Sequence, residues 1–103
     1  MPEIAFVNGR FLRLADATVS VEDRGFQFGD GIYEVIRTYD GRPFELEAHL
    51  ARLDRSAQAL NLRQPYARQE WTQFVLEAIR RAAFPEAKIY IQITRGVAPR
   101  DHA

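Results

Sequence analysis

The stretch DRGFQFGDGIYEVIR, residues 23–37, carries the strongest local signals for the fold. Within seven residues it contains Gly25, Gly29 and Gly31. Glycine reaches backbone conformations that cost other residues free energy, so these residues predict a tightly bent loop. An alternating strand follows over about 32–39, and it points Tyr33 and Glu34 to opposite faces. The glycine spacing fits neither GxGxxG nor GxxxxGK followed by Ser or Thr, so the pattern does not support a phosphate-binding loop.

Two turn dipeptides predict β-hairpins on either side of this stretch. Asn8-Gly9 lies between two apolar runs, which favours a hairpin because both turn positions need positive φ. Asp40-Gly41 ends the alternating strand in the same way. The return strand contains Pro43, which cannot donate to a ladder, so that strand is predicted to be short or at an edge.

Apolar residues recur at helical spacing in two segments after the second hairpin. The first segment predicts a helix over about 46–61. The second predicts a helix over about 68–83, with an apolar face made by Trp71, Phe74, Val75, Ala78, Ile79 and Ala82. Ala67 occupies the N-cap position of this helix, so we expect its first turn to be frayed or capped from elsewhere. Alternation over 88–94 predicts a final strand with isoleucines on one face.

The predicted order of elements, ββββααβ, favours an α+β fold. We expect a two-layer sandwich in which a mostly antiparallel sheet is covered on one face by the two helices. Strand isoleucines and the apolar stripes of both helices form the shared core. Tyr33, Tyr39 and Tyr90 are predicted on the opposite face, which suits that face to contact with another molecule. The 103 residues are enough for one domain, 1–103.

Composition excludes several classes of protein. Lys plus Arg and Asp plus Glu both number 14, and this zero net charge argues against nonspecific binding to nucleic acid or an anionic membrane. The absence of cysteine excludes disulfides and thiolate chemistry. His49 and His102 have no metal-ligand spacing, so we expect no metal site. The N-terminus shows neither a secretory signal nor a membrane span, so a cytoplasmic protein is expected.

Two groups of residues are candidates for chemistry. Arg100 and His102 lie in a bent segment after the last strand, where an Arg fork and a His hydrogen bond can hold a carboxylate. A polar segment of this kind is more often simply solvated. His49 and Arg52 lie three residues apart on the first predicted helix. A histidine that borders an apolar stripe usually packs against the core, and an arginine off the stripe is usually solvated.

Three separated motifs connect the sequence to a known family. They are EDRGFQFGDGIYEV at 22–35, HLARL at 49–53 and TRGVAPRDH at 94–102. With these motifs the chain resembles, over nearly its whole length, the N-terminal small domain of the class IV (fold type IV) pyridoxal-phosphate-dependent aminotransferases. Within that family it is most similar to the D-amino-acid aminotransferases. Three motifs in the right order are more specific than any one of them alone.

The resemblance implies roles for four residues. Tyr33, Arg100 and His102 match the positions that bind the substrate α-carboxylate in the family. Arg52 matches the arginine that binds the phosphate of pyridoxal 5′-phosphate. A homodimer is also implied, because the Arg-x-His pair crosses the dimer interface in the family. The implied reaction moves the amino group of a D-amino acid to a 2-oxo acid. We therefore expect Tyr33 and Arg52 to border one cleft.

The implied chemistry also needs a lysine amine that forms a Schiff base with the cofactor. The only lysine is Lys88, near the start of the last predicted strand, where the family has no catalytic lysine. We therefore expect the C-terminal domain with the cofactor lysine to be absent from this chain, and no catalytic residue to lie in it. The 103 residues alone are expected to be inactive.

Other functions stay open on the sequence alone. Within the superfamily the alternatives are a branched-chain aminotransferase, an (R)-amine transaminase and an aminodeoxychorismate lyase. The Arg-x-His pair and the setting of Tyr33 favour the D-amino-acid branch. An alternative of another class is a non-catalytic α+β interaction module that binds a partner through its polar sheet face.

Overall fold

Five strands and three α-helices follow one another along residues 3–98, the part of the chain that the computed structural model describes. The strands are β1 Ile4–Val7, β2 Arg10–Arg13, β3 Gly31–Tyr39, β4 Arg42–Pro43 and β5 Lys88–Thr94. The helices are α1 Arg24–Phe28, α2 Leu46–Ala59 and α3 Arg68–Ala82, and a 3-10 turn at Leu14–Asp16 follows β2. The predicted α+β class is confirmed, with one more helix than expected.

The strands form two antiparallel sheets rather than the single sheet expected. β1 and β2 form a hairpin in which Asn8 and Gly9 have the positive φ angles, 50° and 90°, that the turn requires. The other sheet has the order β4-β3-β5. The first hairpin packs on helix α3 instead of extending this sheet. Its Phe6 ring lies 4.5 Å from the Phe74 ring of α3, centroid to centroid, and the apolar side chains of the hairpin are half-buried.

The segment predicted as a bent glycine loop contains helix α1. Asp23 caps this helix, since its Oδ1 accepts a hydrogen bond from the Gly25 N–H at 2.8 Å. Gly29 ends the helix in the left-handed conformation, with a φ of 64°. The prediction of a tightly bent loop was therefore wrong at 24–28, because the Asp23 cap stabilises a short helix despite the glycines.

The core lies between one face of β3 and the two long helices. Side chains alternate along β3 between the core and solvent, as the sequence predicted. The inward side chains of β3 are Ile32, Glu34, Ile36 and Thr38. The buried helix side chains are Leu50, Leu53 and Ala57 of α2 and Trp71 and Val75 of α3. Together with Ile91 and Ile93 of β5, the apolar members of these sets form one cluster, which confirms the predicted core.

The start of helix α3 also follows the prediction. Ala67 provides no side-chain cap, and the Ala67 N–H instead donates to Glu70 Oε1 at 2.9 Å. The two long helices end at Ala59 and Ala82, within two residues of the predicted limits. Among the helices of residues 3–98, none is long and apolar enough to span a membrane.

Candidate functional site

Glu34 is the charged side chain that the described part of the fold buries, at 4% exposure. Its Oε2 accepts a hydrogen bond from Arg52 Nε at 2.7 Å, and its Oε1 accepts one from Arg52 Nη2 at 2.9 Å. His49 Nδ1 lies 2.7 Å from the same Oε1. We call Glu34, His49 and Arg52 the Glu34 cluster.

Two elements position the Glu34 cluster. Glu34 lies on the inward face of β3 because strand residues alternate between faces. His49 and Arg52 lie three residues apart on α2, so they share one side of that helix. The buried side chains of Leu50 and Leu53 pack α2 against β3. The same packing brings both cationic residues to the carboxylate of Glu34.

The neighbours of Glu34 keep its carboxyl group ionised. Hydrogen bonds from the Arg52 guanidinium hold the pKa of Glu34 below its ordinary value of 4.5. Burial acts in the opposite direction, and the hydrogen bond with His49 lowers the pKa further. The same hydrogen bonds raise the pKa of Arg52. A carboxylate buried this deeply needs such partners, because desolvation without them costs several kcal/mol.

Arg52 is held on one side and open on the other. Its pairing with Glu34 uses one N–H of Nε and one of Nη2, which leaves three of the five guanidinium donors. These three donors have no protein partner within residues 3–98, and the side chain is 59% exposed. A fixed guanidinium with a free donor fork is suited to bind a phosphate or a carboxylate.

The outward face of the β4-β3-β5 sheet carries exposed aromatic side chains, as predicted. Tyr33 and Tyr90 are 64% and 60% exposed, and their rings stack with centroids 5.6 Å apart. Tyr39 and Val35 are also exposed on this face. We call these four residues the open sheet face. Contiguous aromatic surface of this kind is typical of a contact with another domain, chain or ligand.

Tyr33 and Arg52 do not meet in the described chain. Arg52 is bonded to Glu34, the residue next to Tyr33 on β3. Because successive strand residues point to opposite faces, Tyr33 lies on the open sheet face and Arg52 on the helix side. Within residues 3–98 the two side chains thus lie on different sides of the β4-β3-β5 sheet. The expectation that both border one cleft, which polypeptide outside this chain completes, stays a prediction.

Backbone hydrogen bonds bring the segments before β3 and after β5 together. The Arg24 N–H donates to the Gly96 carbonyl at 2.8 Å, and the Ala98 N–H donates to the Glu22 carbonyl at 3.3 Å. The motif at 22–35 is thus adjacent to 94–98, the described part of the motif at 94–102.

The other predicted residues lie away from the Glu34 cluster. Arg100 and His102 fall outside the described residues. Lys88 begins β5 opposite Arg37, and it is exposed on the outward side of the sheet, away from Arg52. Across the described range 3–98, no group of three or more His, Asp or Glu side chains could hold a metal ion.

Glu34 and His49 are the site residues for which the sequence pattern predicted no role. The alternation of β3 already placed Glu34 on the face that also carries Ile32 and Ile36. A carboxylate on a core face requires a cationic partner, and this requirement is the signal that could have identified both residues. His49 and Arg52 were the candidates three residues apart on the facing helix.

Comparison with known sequences decides the family. The sequence profile of amino-transferase class IV matches residues 31–103. The chain belongs to the class IV aminotransferase family. D-alanine aminotransferase of Staphylococcus epidermidis is 46% identical to this aminotransferase chain over 98 residues, which is 95% of the chain and 35% of that protein. The chain therefore spans about a third of the length of this curated relative.

Solved structures of class IV aminotransferases share the fold. A hypothetical aminotransferase from Mycobacterium tuberculosis, bound to alpha-ketoglutarate and PMP, matches with a TM-score of 0.81 and 29% identity, over 91% of this chain and 34% of that chain. A branched-chain aminotransferase from Thermoproteus uzoniensis with norvaline matches with a TM-score of 0.76 and 30% identity, over 89% of this chain and 32% of that chain. The Mycobacterium tuberculosis structure thus contains a phosphorylated cofactor, PMP.

The residues of this aminotransferase chain fit one end of such a cofactor. The free donor fork of Arg52 matches a phosphate in charge and hydrogen-bonding capacity. Lys88, the only lysine of the sequence, lies on the outward side of the sheet, so residues 3–98 offer no lysine amine on the side of Arg52. The described residues therefore suit the phosphate of the cofactor and not its aldehyde.

Proposed function

We propose that this chain forms the N-terminal small domain of a pyridoxal-phosphate-dependent aminotransferase that moves the amino group of a D-amino acid to a 2-oxo acid. The observation that carries the proposal is the Glu34 cluster, which holds Arg52 with a free donor fork in a class IV chain. The 46% identity to a D-alanine aminotransferase supports the D-amino-acid substrate class. A cytoplasmic location, expected from the sequence, belongs to the same proposal.

Arg52 is proposed to bind the phosphate of pyridoxal 5′-phosphate. A phosphate monoester carries a charge between about −1.5 and −2 and three acceptor oxygens, which suit a guanidinium fork. The bound cofactor supplies the electrophilic carbon and the electron sink of the reaction. The task of Arg52 is to bind the phosphate and to fix its position. The Schiff-base lysine is proposed to lie in a C-terminal domain outside this chain.

Tyr33, Arg100 and His102 are proposed to bind the α-carboxylate of the amino acid and the 2-oxo acid. Arg offers a bidentate fork, and Tyr and His each offer one further hydrogen bond. Tyr33 lies on the open sheet face, away from Arg52, so the substrate pocket needs further walls. We propose that a second copy of the protein helps to supply them, in a homodimer.

The phosphate assignment is tested by ligand affinity. The protein is produced from the full-length gene that encodes this chain, and its dissociation constants for pyridoxamine 5′-phosphate and pyridoxamine are measured by calorimetry. Arg52→Ala is expected to weaken binding of the phosphorylated ligand by roughly tenfold or more, and to leave pyridoxamine unchanged. Arg55→Ala, an exposed arginine one turn further along α2, is the control for loss of charge. Equal affinity of Arg52→Ala and wild type for the phosphorylated ligand would refute the assignment.

The substrate assignment is tested by steady-state kinetics of the same protein. We expect turnover of D-alanine with a 2-oxo acid, and a strong rise of KM for acid substrates in Arg100→Ala. An unchanged KM means that the carboxylate site is wrongly assigned. Higher kcat/KM for L-leucine than for D-alanine favours a branched-chain aminotransferase, the alternative that the Thermoproteus uzoniensis structure supports. Activity confined to (R)-amines or to aminodeoxychorismate identifies one of the other two alternatives.

A further inference from the structure

We infer that Glu34 is a positioning residue for cofactor binding, because it fixes Arg52 in the orientation that presents its free donor fork to a phosphate. The inference rests on the proposed role of Arg52 and adds a residue to it. Glu34 itself contacts neither cofactor nor substrate. It acts through the guanidinium.

The geometry of the pair carries the inference. Glu34 engages Arg52 through both oxygens, at 2.7 Å to Nε and 2.9 Å to Nη2, which fixes the plane of the guanidinium as well as its place. The fork at the far end of the group, made by the remaining N–H donors of Nη1 and Nη2, then points away from the carboxylate. An exposed arginine without such a partner samples many rotamers. Arg52 is more than half exposed, yet only one of its two sides is free.

The carboxylate is itself well anchored. Glu34 lies in the middle of β3, which pairs with β5 from Gly31 to Arg37. Its side chain is almost fully buried, and His49 occupies a second position on Oε1. Because the central strand, burial and His49 hold the carboxylate independently of the arginine, Arg52 adopts the position that the carboxylate sets. Preorganisation of this kind improves affinity because less side-chain freedom is lost on binding.

The negative charge of Glu34 opposes phosphate binding, whereas its hydrogen bonds to Arg52 favour it. The experiment must separate these two effects. A carboxylate near a bound phosphate repels it, so a neutral replacement changes both orientation and charge. Glu34→Asp keeps the charge and withdraws the carboxylate by one methylene. The matched control is Glu47→Asp, the same change at an exposed position of α2.

The test measures affinity of the full-length protein for pyridoxamine 5′-phosphate relative to pyridoxamine. Glu34→Asp is expected to weaken binding of the phosphorylated ligand by roughly three- to tenfold, with pyridoxamine binding and the Glu47→Asp control unchanged. Wild-type affinity in Glu34→Asp would overturn the inference if Arg52→Ala weakens binding. Wild-type affinity in Arg52→Ala would instead overturn the proposed function, so the two failures are distinguishable.

A measurement on the wild-type protein keeps the inference testable if Glu34→Asp does not fold. With isotope-labelled arginine, the Nε–H signal of Arg52 is expected to exchange with water at least roughly tenfold more slowly than that of Arg55, because this proton is donated to the buried carboxylate of Glu34. Equal exchange rates would show that Arg52 is not fixed.

Discussion

Replacing Glu34 by Gln should destabilise the protein in a way that depends on pH. The change keeps the shape of the side chain but removes its charge. Glu34 receives two N–H donors from Arg52 and a contact from His49, all within 2.9 Å. Hydrogen bonds to a charged partner contribute about 1.5–3 kcal/mol and neutral ones about 0.5–1.5 kcal/mol. The amide also turns its NH₂ group toward a donor. We therefore expect a loss of about 1–3 kcal/mol in the free energy of unfolding at pH 7.

The sign of the pH dependence follows from the pKa of Glu34. The folded-state pKa is lower than the ordinary value of 4.5, so the stability that ionised Glu34 provides is present above about pH 4.5. It is lost as the pH falls through the folded-state pKa, because protonation makes the wild type resemble the Gln variant. The difference in stability between the two proteins should therefore be largest near neutral pH and should shrink below about pH 4.5.

Urea unfolding between pH 3 and pH 7 measures this difference. Trp71 is the single tryptophan and is buried, so its fluorescence reports unfolding of the core directly. The pKa values of Asp54 and Glu77 are also lowered, that of Glu77 to about 2 by hydrogen bonds from Arg80 and Arg81. The wild type and the Gln variant share Asp54 and Glu77, so the contributions of these groups to the pH dependence cancel in the difference between the two proteins. A difference that is absent at pH 7, or that stays constant down to pH 3, would refute the role assigned to Glu34.

Three further substitutions test the packing around the cluster. Leu53→Ala removes a fully buried side chain between α2 and β3 and should cost about 2–5 kcal/mol in urea unfolding, whereas Leu60→Ala, nearly half exposed, should cost far less. Gly31→Ala places a Cβ 2.6 Å from a backbone carbonyl of β5 and should cost about 1–3 kcal/mol; unchanged stability would mean that the two strands are less closely paired than described. Thr38→Val removes the acceptor of the Ala87 N–H bond and should cost about 1–3 kcal/mol, while Thr38→Ser should retain most of the stability; equal stability of the two variants contradicts the bond.

The sequence predicted the elements whose signals are local. Asn8-Gly9 and Asp40-Gly41 require positive φ in a tight turn, and both hairpins form there. The apolar residues that begin at Trp71 recur with the 3.6-residue period of a helix, and α3 forms over this segment. The exposed face with Tyr33 follows from the two-residue period of a strand. Helix α1 was not predicted because its sequence carries opposing signals. The Asp23 cap favours a helix, whereas the glycines favour a loop.

The site was predictable only in part. A strand period placed Glu34 on the core face, and a helix period placed His49 and Arg52 together, but neither period says which strand a helix covers. Glu34 is 15 residues from His49 and 18 from Arg52 in the sequence, so their contacts form only when α2 packs against β3. Local sequence patterns do not predict this packing. The same packing separates Tyr33 from Arg52. A resemblance in sequence motifs assigns roles to single residues. It does not show which of these residues lie close together in the fold.

A crystal structure of the full-length protein with pyridoxamine 5′-phosphate tests most directly whether the Glu34 cluster is a phosphate site. We predict that the phosphate oxygens lie within about 3 Å of the Nη1 and Nη2 atoms of Arg52, with Glu34 still bonded to Nε and Nη2. A phosphate bound away from Arg52, or a Glu34 carboxylate displaced from the guanidinium in the complex, would contradict this assignment.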